Sequence, residues 1–236
     1  MFLFGCSYKY EYPKNFHYHE VNTPKFKIAS WQSIKNKESP YKIYIEGDGS
    51  AFDFHGRVTK NPTPRGHMFR DIAFKDGADN VIYLARPCQY VKDKECNSSY
   101  WSNARFSKEV IESVSYAIKS IVGSADVVLI GYSGGAQVAG LVAVLNHDIK
   151  VVKIITIAGN LDWETWVKYH NLAFLDKSLS LKDFREDFLK IPQIHYVGDE
   201  DKVIPYIITK EFVNDDEKIK LLKGVSHQNG FDKLQY

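Results

Sequence analysis

The strongest constraint on this chain is an apolar run that ends in a glycine-rich serine motif. Residues 127–135 read Val-Val-Leu-Ile-Gly-Tyr-Ser-Gly-Gly, and residues 136–145 continue as an apolar segment. This is the G-x-S-x-G pattern, in which a buried strand leads into a sharp turn and a helix leads out. Small neighbours permit the strained backbone that exposes the hydroxyl of Ser133. The flanking segments favour a nucleophilic serine over a plain glycine-rich turn.

Strands and helices alternate along the rest of the chain. Apolar and β-branched patterns predict strands at residues 26–31, 41–45, 80–84, 127–130, 151–157, 194–197 and 219–222. Helices are predicted at residues 68–74, 107–121 and 136–145, with Ser107 as the N-cap of the second. This alternation implies an α/β fold with a mostly parallel central sheet flanked by helices. The continuously apolar strands at 127–130 and 154–157 suit the centre of such a sheet.

Composition narrows the class of protein. A chain of 236 residues fits one α/β domain with a full core. Lys and Arg number 31 against 29 Asp and Glu, so there is no electrostatic case for a nucleic-acid partner. No stretch approaches the roughly 18 apolar residues of a membrane span. The sequence gives no indication of the oligomeric state.

The first six residues, Met-Phe-Leu-Phe-Gly-Cys, resemble the end of a bacterial lipoprotein signal. The apolar stretch is too short for a signal peptide as it stands, and no basic segment precedes it. Either the true translation start lies upstream of Met1, or the apolar N-terminus is coincidental. The protein is therefore expected to be exported, in the periplasm or lipid-anchored through Cys6, or else cytoplasmic.

A nucleophilic serine needs a base to take its proton and a carboxylate to orient that base. His227 is the only histidine after His195, and it follows a predicted strand on a polar loop. An imidazole there could reach across the edge of the sheet. This position makes His227 the candidate base, with an exposed surface histidine as the alternative interpretation.

Several carboxylates could orient that histidine. Asp199, Glu200 and Asp201 come just beyond the end of a predicted strand, and Asp162 follows the preceding strand. Three carboxylates so close together cannot all serve one imidazole. The residues alone do not distinguish Asp201 from Asp199, and Asp162 is a weaker candidate.

From about residue 41 to residue 231 the chain resembles the α/β-hydrolase superfamily. That family's recurrent Gly-x-x-Asp-x-Val-x-Pro acid loop matches Gly198, Asp201, Val203 and Pro205. The resemblance therefore implies Asp201 as the acid, in the chain order serine, acid, histidine. More narrowly, segments at 44–49, 83–90, 100–107 and 157–162 are similar to a group of uncharacterised bacterial α/β-hydrolases, some of them exported.

The resemblance also implies an oxyanion hole, the pair of N–H donors that binds the charged oxygen of a tetrahedral intermediate. In the family, the loop after the third strand supplies one donor. Here Glu-Gly-Asp-Gly at residues 46–49 occupies that place, so the backbone N–H groups of Asp48 and Gly134 are the expected donors. Each such donor contributes roughly 2.7–4 kcal/mol of transition-state stabilisation.

The same loop departs from the family pattern in its charges. Glu46 stands where the family has histidine, and the Asp48 side chain lies beside the developing oxyanion. Both carboxylates would oppose that charge unless they point away or pair with Arg86 or Arg105. The two carboxylates therefore affect how the oxyanion hole is shaped, and they do not change which loop forms it.

The resemblance implies a single domain spanning residues 1–236, with an N-terminal extension at 1–25. Cap-like insertions are expected at about 50–79, 87–106 and 161–190. Aromatic residues of the last two insertions, including Trp101, are expected to cover the elbow or to pack in the core. The candidate substrate-binding residues are Gly47, Tyr132, Trp101 and Arg105.

Cys88 and Cys96 bracket a polar loop and could form a disulfide if the protein is exported. In a reducing compartment they would be free thiols. Neither a Cys-x-x-Cys pair nor a histidine cluster accompanies them, so no metal site is predicted. No cofactor is expected.

The leading functional hypothesis is a serine hydrolase that cleaves small carboxylic esters through an acyl-enzyme. Ser133, His227 and Asp201 would form its triad. Acyl transfer or amide and peptide cleavage by the same triad is an alternative, as is a non-catalytic binding module on the same fold. Fold analogy supports the reaction type and not the substrate.

Overall fold

The computed structural model describes residues 10–234, which form one eight-stranded sheet with helices on both faces. The strands are β1 (His17–Asn22), β2 (Lys27–Ile34), β3 (Tyr41–Ile45), β4 (Asn80–Leu84), β5 (Val127–Tyr132), β6 (Val151–Ile157), β7 (Gln193–Gly198) and β8 (Ile219–Leu222). Their order across the sheet is β1-β2-β4-β3-β5-β6-β7-β8. β1 and β2 pair antiparallel, β2 and β4 likewise, and all other pairs are parallel. The predicted α/β class with a mostly parallel sheet is confirmed.

Within residues 10–234, six α-helices connect these strands. They are α1 (Met68–Lys75), α2 (Lys108–Val122), α3 (Gly134–Leu145), α4 (Trp163–Tyr169), α5 (Arg185–Lys190) and α6 (Tyr206–Val213). Short 3₁₀ turns lie at Ser98–Trp101, Leu181–Phe184, Asp216–Lys218 and Phe231–Lys233. Ser107 occupies the N-cap position of α2, as predicted, although its side chain makes no capping hydrogen bond.

The core has two parts because successive side chains of a strand point to opposite faces of the sheet. Ile43 and Leu129 pack on the face that α2 and α3 cover. Tyr44 and Ile130, the next residue of each strand, pack on the face that carries Phe69 of α1. The sheet is therefore covered on both sides, which explains the continuously apolar central strands.

Part of the N-terminal region belongs to the sheet. Residues 17–22, within the expected extension at 1–25, form edge strand β1 and add a full antiparallel pairing to β2. His17, Tyr18 and His19 lie on this edge strand, and all three side chains are exposed. The prediction concerning Cys6 lies outside the described residues.

Candidate active site

Ser133 lies at the turn between β5 and α3 and has the strained backbone that the motif predicts. Its φ and ψ are 51° and −124°, a left-handed conformation that is unusual for a residue with a side chain. Its N–H donates to the carbonyl of Ile157 at 3.1 Å, and its own carbonyl accepts from the Asn160 N–H at 2.9 Å. The neighbouring strand β6 and the loop after it thus hold the elbow in place.

Three side chains form a hydrogen-bonded chain at this turn. His227 Nε2 lies 3.1 Å from Ser133 Oγ, and His227 Nδ1 lies 2.8 Å from Asp201 Oδ2. The Asp201 carboxylate is fully buried, whereas the imidazole keeps limited access to solvent. The structure therefore brings together the three residues that the sequence proposed as nucleophile, base and acid, in hydrogen-bonding order.

Local contacts orient both partners of the serine. The second carboxylate oxygen of Asp201 accepts the N–H groups of Val203 and Ile204, both at 2.8 Å, so the turn after β7 fixes the side chain. The hydroxyl of Tyr132 donates to the backbone carbonyl of His227 at 3.0 Å. Because Tyr132 immediately precedes Ser133, the histidine loop is tied directly to the elbow.

The other candidate acids point elsewhere. Asp162 caps α4, accepting the N–H and the hydroxyl of Thr165 at 2.9 and 2.7 Å, and it lies 3.3 Å from Lys182 Nζ. Asp199 is exposed and accepts the Gly224 N–H at 2.7 Å. Both carboxylates thus form hydrogen bonds that stabilise the local backbone.

The predicted oxyanion-hole residues meet at the same turn. Gly134 is the first residue of α3, so its N–H has no acceptor within the helix. A Cβ atom on Gly134 would lie 2.3 Å from Asp48 Oδ1, so residue 48 sits directly against the start of the helix. A Cβ on Gly47 would lie 3.1 Å from Ser133 Cβ, so the backbone of Gly47 packs closely against the serine.

Gln89 fixes the peptide that carries one of these donors. Its Nε2 donates to the carbonyl of Gly47 at 2.9 Å, and its Oε1 accepts the Arg86 N–H at 3.0 Å. The Gly47 carbonyl and the Asp48 N–H belong to one planar peptide group and point in opposite directions. Holding the carbonyl therefore sets the direction of the N–H.

The two unusual carboxylates of this loop are both engaged. Glu46 is buried and accepts the Gly47 N–H at 2.9 Å and the hydroxyl of Tyr83. Burial raises the pKa of Glu46, against the lowering effect of these two donors and of nearby arginines. The Glu46 carboxyl group is thus hydrogen-bonded to its own loop and to β4, while Glu46 also contributes to the lining of the cleft.

Asp48 pairs with two arginines. Arg105 Nη1 lies 2.6 Å from Asp48 Oδ2, and Arg86 Nη1 lies 3.3 Å from Asp48 Oδ1. Burial raises the pKa of the Asp48 carboxyl, but the two guanidinium groups outweigh it, and the net pKa is lowered. The pairing with Arg86 and Arg105 that the sequence left open is present.

A cleft of about 890 Å³ opens over Ser133. Its walls combine apolar residues with charged ones and draw on all three expected insertions: Phe52, Arg65, His67, Phe69 and Asp71 from the first, Arg105 from the second and Trp166 from the third. Of the candidate substrate-binding residues, Tyr132 and Arg105 line the cleft.

Trp101 and Gly47 lie outside the lining of the cleft. Trp101 is buried, and its indole N–H donates to the carbonyl of Thr59 at 3.0 Å, so it packs beneath the first insertion instead of covering the elbow. The backbone of Gly47 packs against Ser133. For Trp101 the core-packing alternative is therefore the one observed.

Cys88 and Cys96 are joined by a disulfide with a Cα–Cα distance of 5.6 Å. Cys88 and Tyr90, on either side of Gln89, both have positive φ angles of 69° and 63°. The closed loop thus contains the glutamine that holds the Gly47 carbonyl.

Sequence reasoning missed two contributors to the site: Gln89, and the contact of Tyr132 with the His227 carbonyl. These contacts join residues at least 42 positions apart, and a single sequence shows no pattern for them. A polar glutamine next to a cysteine carries no sequence pattern of its own.

Within residues 10–234, no group of three or more His, Cys, Asp or Glu side chains is arranged to hold a metal ion. Among the helices of the same part of the chain, none combines the length and hydrophobicity needed to cross a bilayer.

No protein-family model and no curated protein matches the sequence. Solved structures do match. Est1E from Butyrivibrio proteoclasticus superposes with a TM-score of 0.61 at 13% identity, covering 93% of both chains. An esterase from Pyrococcus furiosus gives a TM-score of 0.60 at 15% identity, over 90% of this chain and 83% of the other. An alpha-beta serine hydrolase homologue from Coxiella burnetii gives 0.53 at 17%, over 93% and 92%. At such identities the similarity is one of fold.

Proposed function

From the α/β-hydrolase fold that this chain has, we propose that the protein is a serine hydrolase that cleaves carboxylic esters through an acyl-enzyme intermediate. The observation that carries the proposal is the continuous chain of hydrogen bonds from Asp201 through His227 to Ser133 at the floor of an open cleft. The names of the structural neighbours, which include esterases, agree with this reaction class.

In the first half-reaction, Ser133 Oγ attacks the carbonyl carbon of the ester while His227 Nε2 takes the hydroxyl proton. Asp201 Oδ2 accepts the hydrogen bond from Nδ1 and stabilises the imidazolium. The carbonyl oxygen becomes an oxyanion, which the N–H groups of Asp48 and Gly134 bind. The intermediate collapses as His227 returns the proton to the departing alcohol, leaving the acyl group on Ser133.

In the second half-reaction, water replaces the alcohol. His227 takes a proton from the water as its oxygen attacks the acyl carbon, and the same two N–H groups bind the second oxyanion. Collapse breaks the bond to Ser133 Oγ, which recovers its proton from the imidazolium. The carboxylic acid then leaves and the enzyme is restored.

The test is covalent labelling of the serine together with turnover of simple esters. A fluorophosphonate probe is expected to label the wild-type protein at Ser133, and a chain-length series of nitrophenyl esters should be hydrolysed. Ser133→Ala should abolish labelling and lower kcat by about 10⁴-fold or more while the melting temperature stays near that of the wild type. Undiminished hydrolysis by Ser133→Ala would refute the proposal.

A further inference from the structure

The carboxylate of Asp48 lies where a negative charge would oppose the proposed reaction. A Cβ on Gly134 would sit 2.3, 2.8 and 3.1 Å from the three carboxyl atoms of Asp48, so the carboxylate rests on the residue whose N–H is the expected second donor. A fixed negative charge beside a forming oxyanion raises the barrier, because like charges repel most strongly where water is excluded.

Two guanidinium groups surround this carboxylate. Arg105 and Arg86 contact different oxygens of Asp48, at 2.6 and 3.3 Å. Their side chains are only 6% and 5% exposed, against 24% for Asp48. Two positive charges and one negative charge leave this cluster with a net charge of +1.

The arginines are held rigidly in this arrangement. Arg105 Nε donates to the carbonyl of Ser102 at 2.7 Å, and Arg86 donates from its second amino group to the carbonyl of Arg105. The Arg105 guanidinium also lies 5.2 Å from the ring of Phe52, at the wall of the cleft. Arg105 is thus the member of the pair that both lines the cleft and makes the shorter contact with Asp48.

We propose that Arg105 is a positioning and charge-compensating residue of the oxyanion hole, reversing the electrostatic effect of the Asp48 carboxylate and fixing the loop that carries the Asp48 N–H. This inference rests on the proposed function. Arg105 acts on the transition state through Asp48 and not by contact with the substrate. The arginine is therefore needed only while residue 48 carries a negative charge.

The test is a double-mutant cycle with Arg105→Met and Asp48→Asn. Arg105→Met removes the charge at similar length, and it is expected to lower kcat by about 10- to 100-fold with little change in KM. Asp48→Asn alone removes the opposing carboxylate and keeps the backbone N–H, and its kcat is the reference against which the combined variant is compared. The combined variant should recover most of the kcat lost in Arg105→Met, a coupling of opposite sign to the first loss.

A binding measurement accompanies the kinetics. Phenylboronic acid forms a tetrahedral anionic adduct with a reactive serine, so its inhibition constant should rise in Arg105→Met and fall back in the combined variant. Arg105→Lys retains the charge and should lie nearer the wild type than Arg105→Met in both measurements. Arg57→Met removes an arginine from an exposed pair with Asp53 at 2.8 Å, outside the cleft lining, and serves as the matched control.

Two outcomes of these measurements would overturn the inference, and a third would overturn the proposed function. If Arg105 only supports packing, losses in the two single variants add and the combined variant shows no recovery, which overturns the inference. If Arg105 instead binds an anionic group of the substrate, KM rises in both variants that lack the arginine, and this also overturns it. Wild-type protein that is not labelled at Ser133 would overturn the proposed function itself, whereas labelling without recovery overturns only this inference.

Discussion

The two carboxylate oxygens of Asp201 have different hydrogen-bond partners. One of its oxygens accepts two backbone N–H groups of its own turn, and the other faces the imidazole of His227. The turn therefore presents one free oxygen in one direction. Neighbouring Asp199 has the same charge but faces solvent and stabilises only the backbone at Gly224.

This difference predicts unequal effects of removing each charge. Asp201→Asn should lower kcat by about 10⁴-fold, because an amide at that position holds the imidazole in the wrong tautomer. Asp199→Asn, the matched control two residues away, should leave kcat within a few-fold of the wild type. Steady-state hydrolysis of a nitrophenyl ester measures both. Equal and mild losses would transfer the role of acid to Glu200 or Asp162.

At the scale of elements, the position of α3 depends on how closely it approaches the sheet. A Cβ on Gly135 would lie 2.2 Å from the carbonyl oxygen of Ile45, and one on Gly131 would lie 2.5 Å from the Cα of Ala136. Backbone atoms cannot yield as a side chain does. The helix can therefore start at the end of β5 only because these positions lack side chains.

Gly135→Ala is accordingly expected to destabilise the protein although alanine favours helices. Overpacking against the backbone of β3 should lower the free energy of unfolding by about 1–3 kcal/mol. Gly77→Ala is the matched control, since a Cβ there would meet nothing within 4 Å, and its effect should stay within about 0.5 kcal/mol. Urea denaturation measures both. A neutral Gly135→Ala would show that α3 can shift without cost.

Sequence patterns predicted the elements that carry long apolar runs. The bounds predicted for β3, β4, β6 and β8 match those observed. β3 and β4 are buried along almost their whole length, which leaves a clear signal, whereas β8 is mostly exposed. The short helices α4, α5 and α6 were not predicted as helices. Each has six to eight residues, which leaves little room for a periodic pattern, although α1 was predicted and is no longer than α6.

The candidate site divides in the same way. Ser133, Asp201 and His227 follow from a local motif, a local loop pattern and chain order. Gln89 and the hydroxyl of Tyr132 contribute through contacts distant in sequence, which a single sequence does not encode in any readable pattern. The sequence identified the charges of Asp48 and Glu46 and named Arg86 and Arg105 as possible partners, but only the fold shows that both arginines pair with Asp48.

For the molecule as a whole, the Cys88–Cys96 disulfide connects stability with compartment. It closes a loop with a sequence separation of 8 beside the oxyanion-hole loop. A disulfide of this kind persists in oxidising surroundings, which is the condition under which the sequence predicts that it forms.

Removing this disulfide should lower the free energy of unfolding by about 2–3 kcal/mol on chain-entropy grounds. The variant is Cys88→Ala combined with Cys96→Ala, which retains only Cys6 of the three cysteines. Treatment with reductant should bring the wild type to the stability of this variant and leave the variant itself unchanged. Wild-type stability that does not respond to reductant, with both thiols alkylated from the start, would show that the disulfide does not form.

The same loop makes the choice of assay buffer a kinetic variable. Gln89 follows Cys88 directly and holds the carbonyl of the peptide whose N–H is the proposed oxyanion donor. Thiol reductants are routine additives in enzyme assays, and here they would loosen the segment that aims this peptide. Specific activities measured with and without reductant would then differ, because one describes the reduced enzyme and the other the disulfide-bonded enzyme. Each rate constant would depend on whether the preparation had been exposed to reductant.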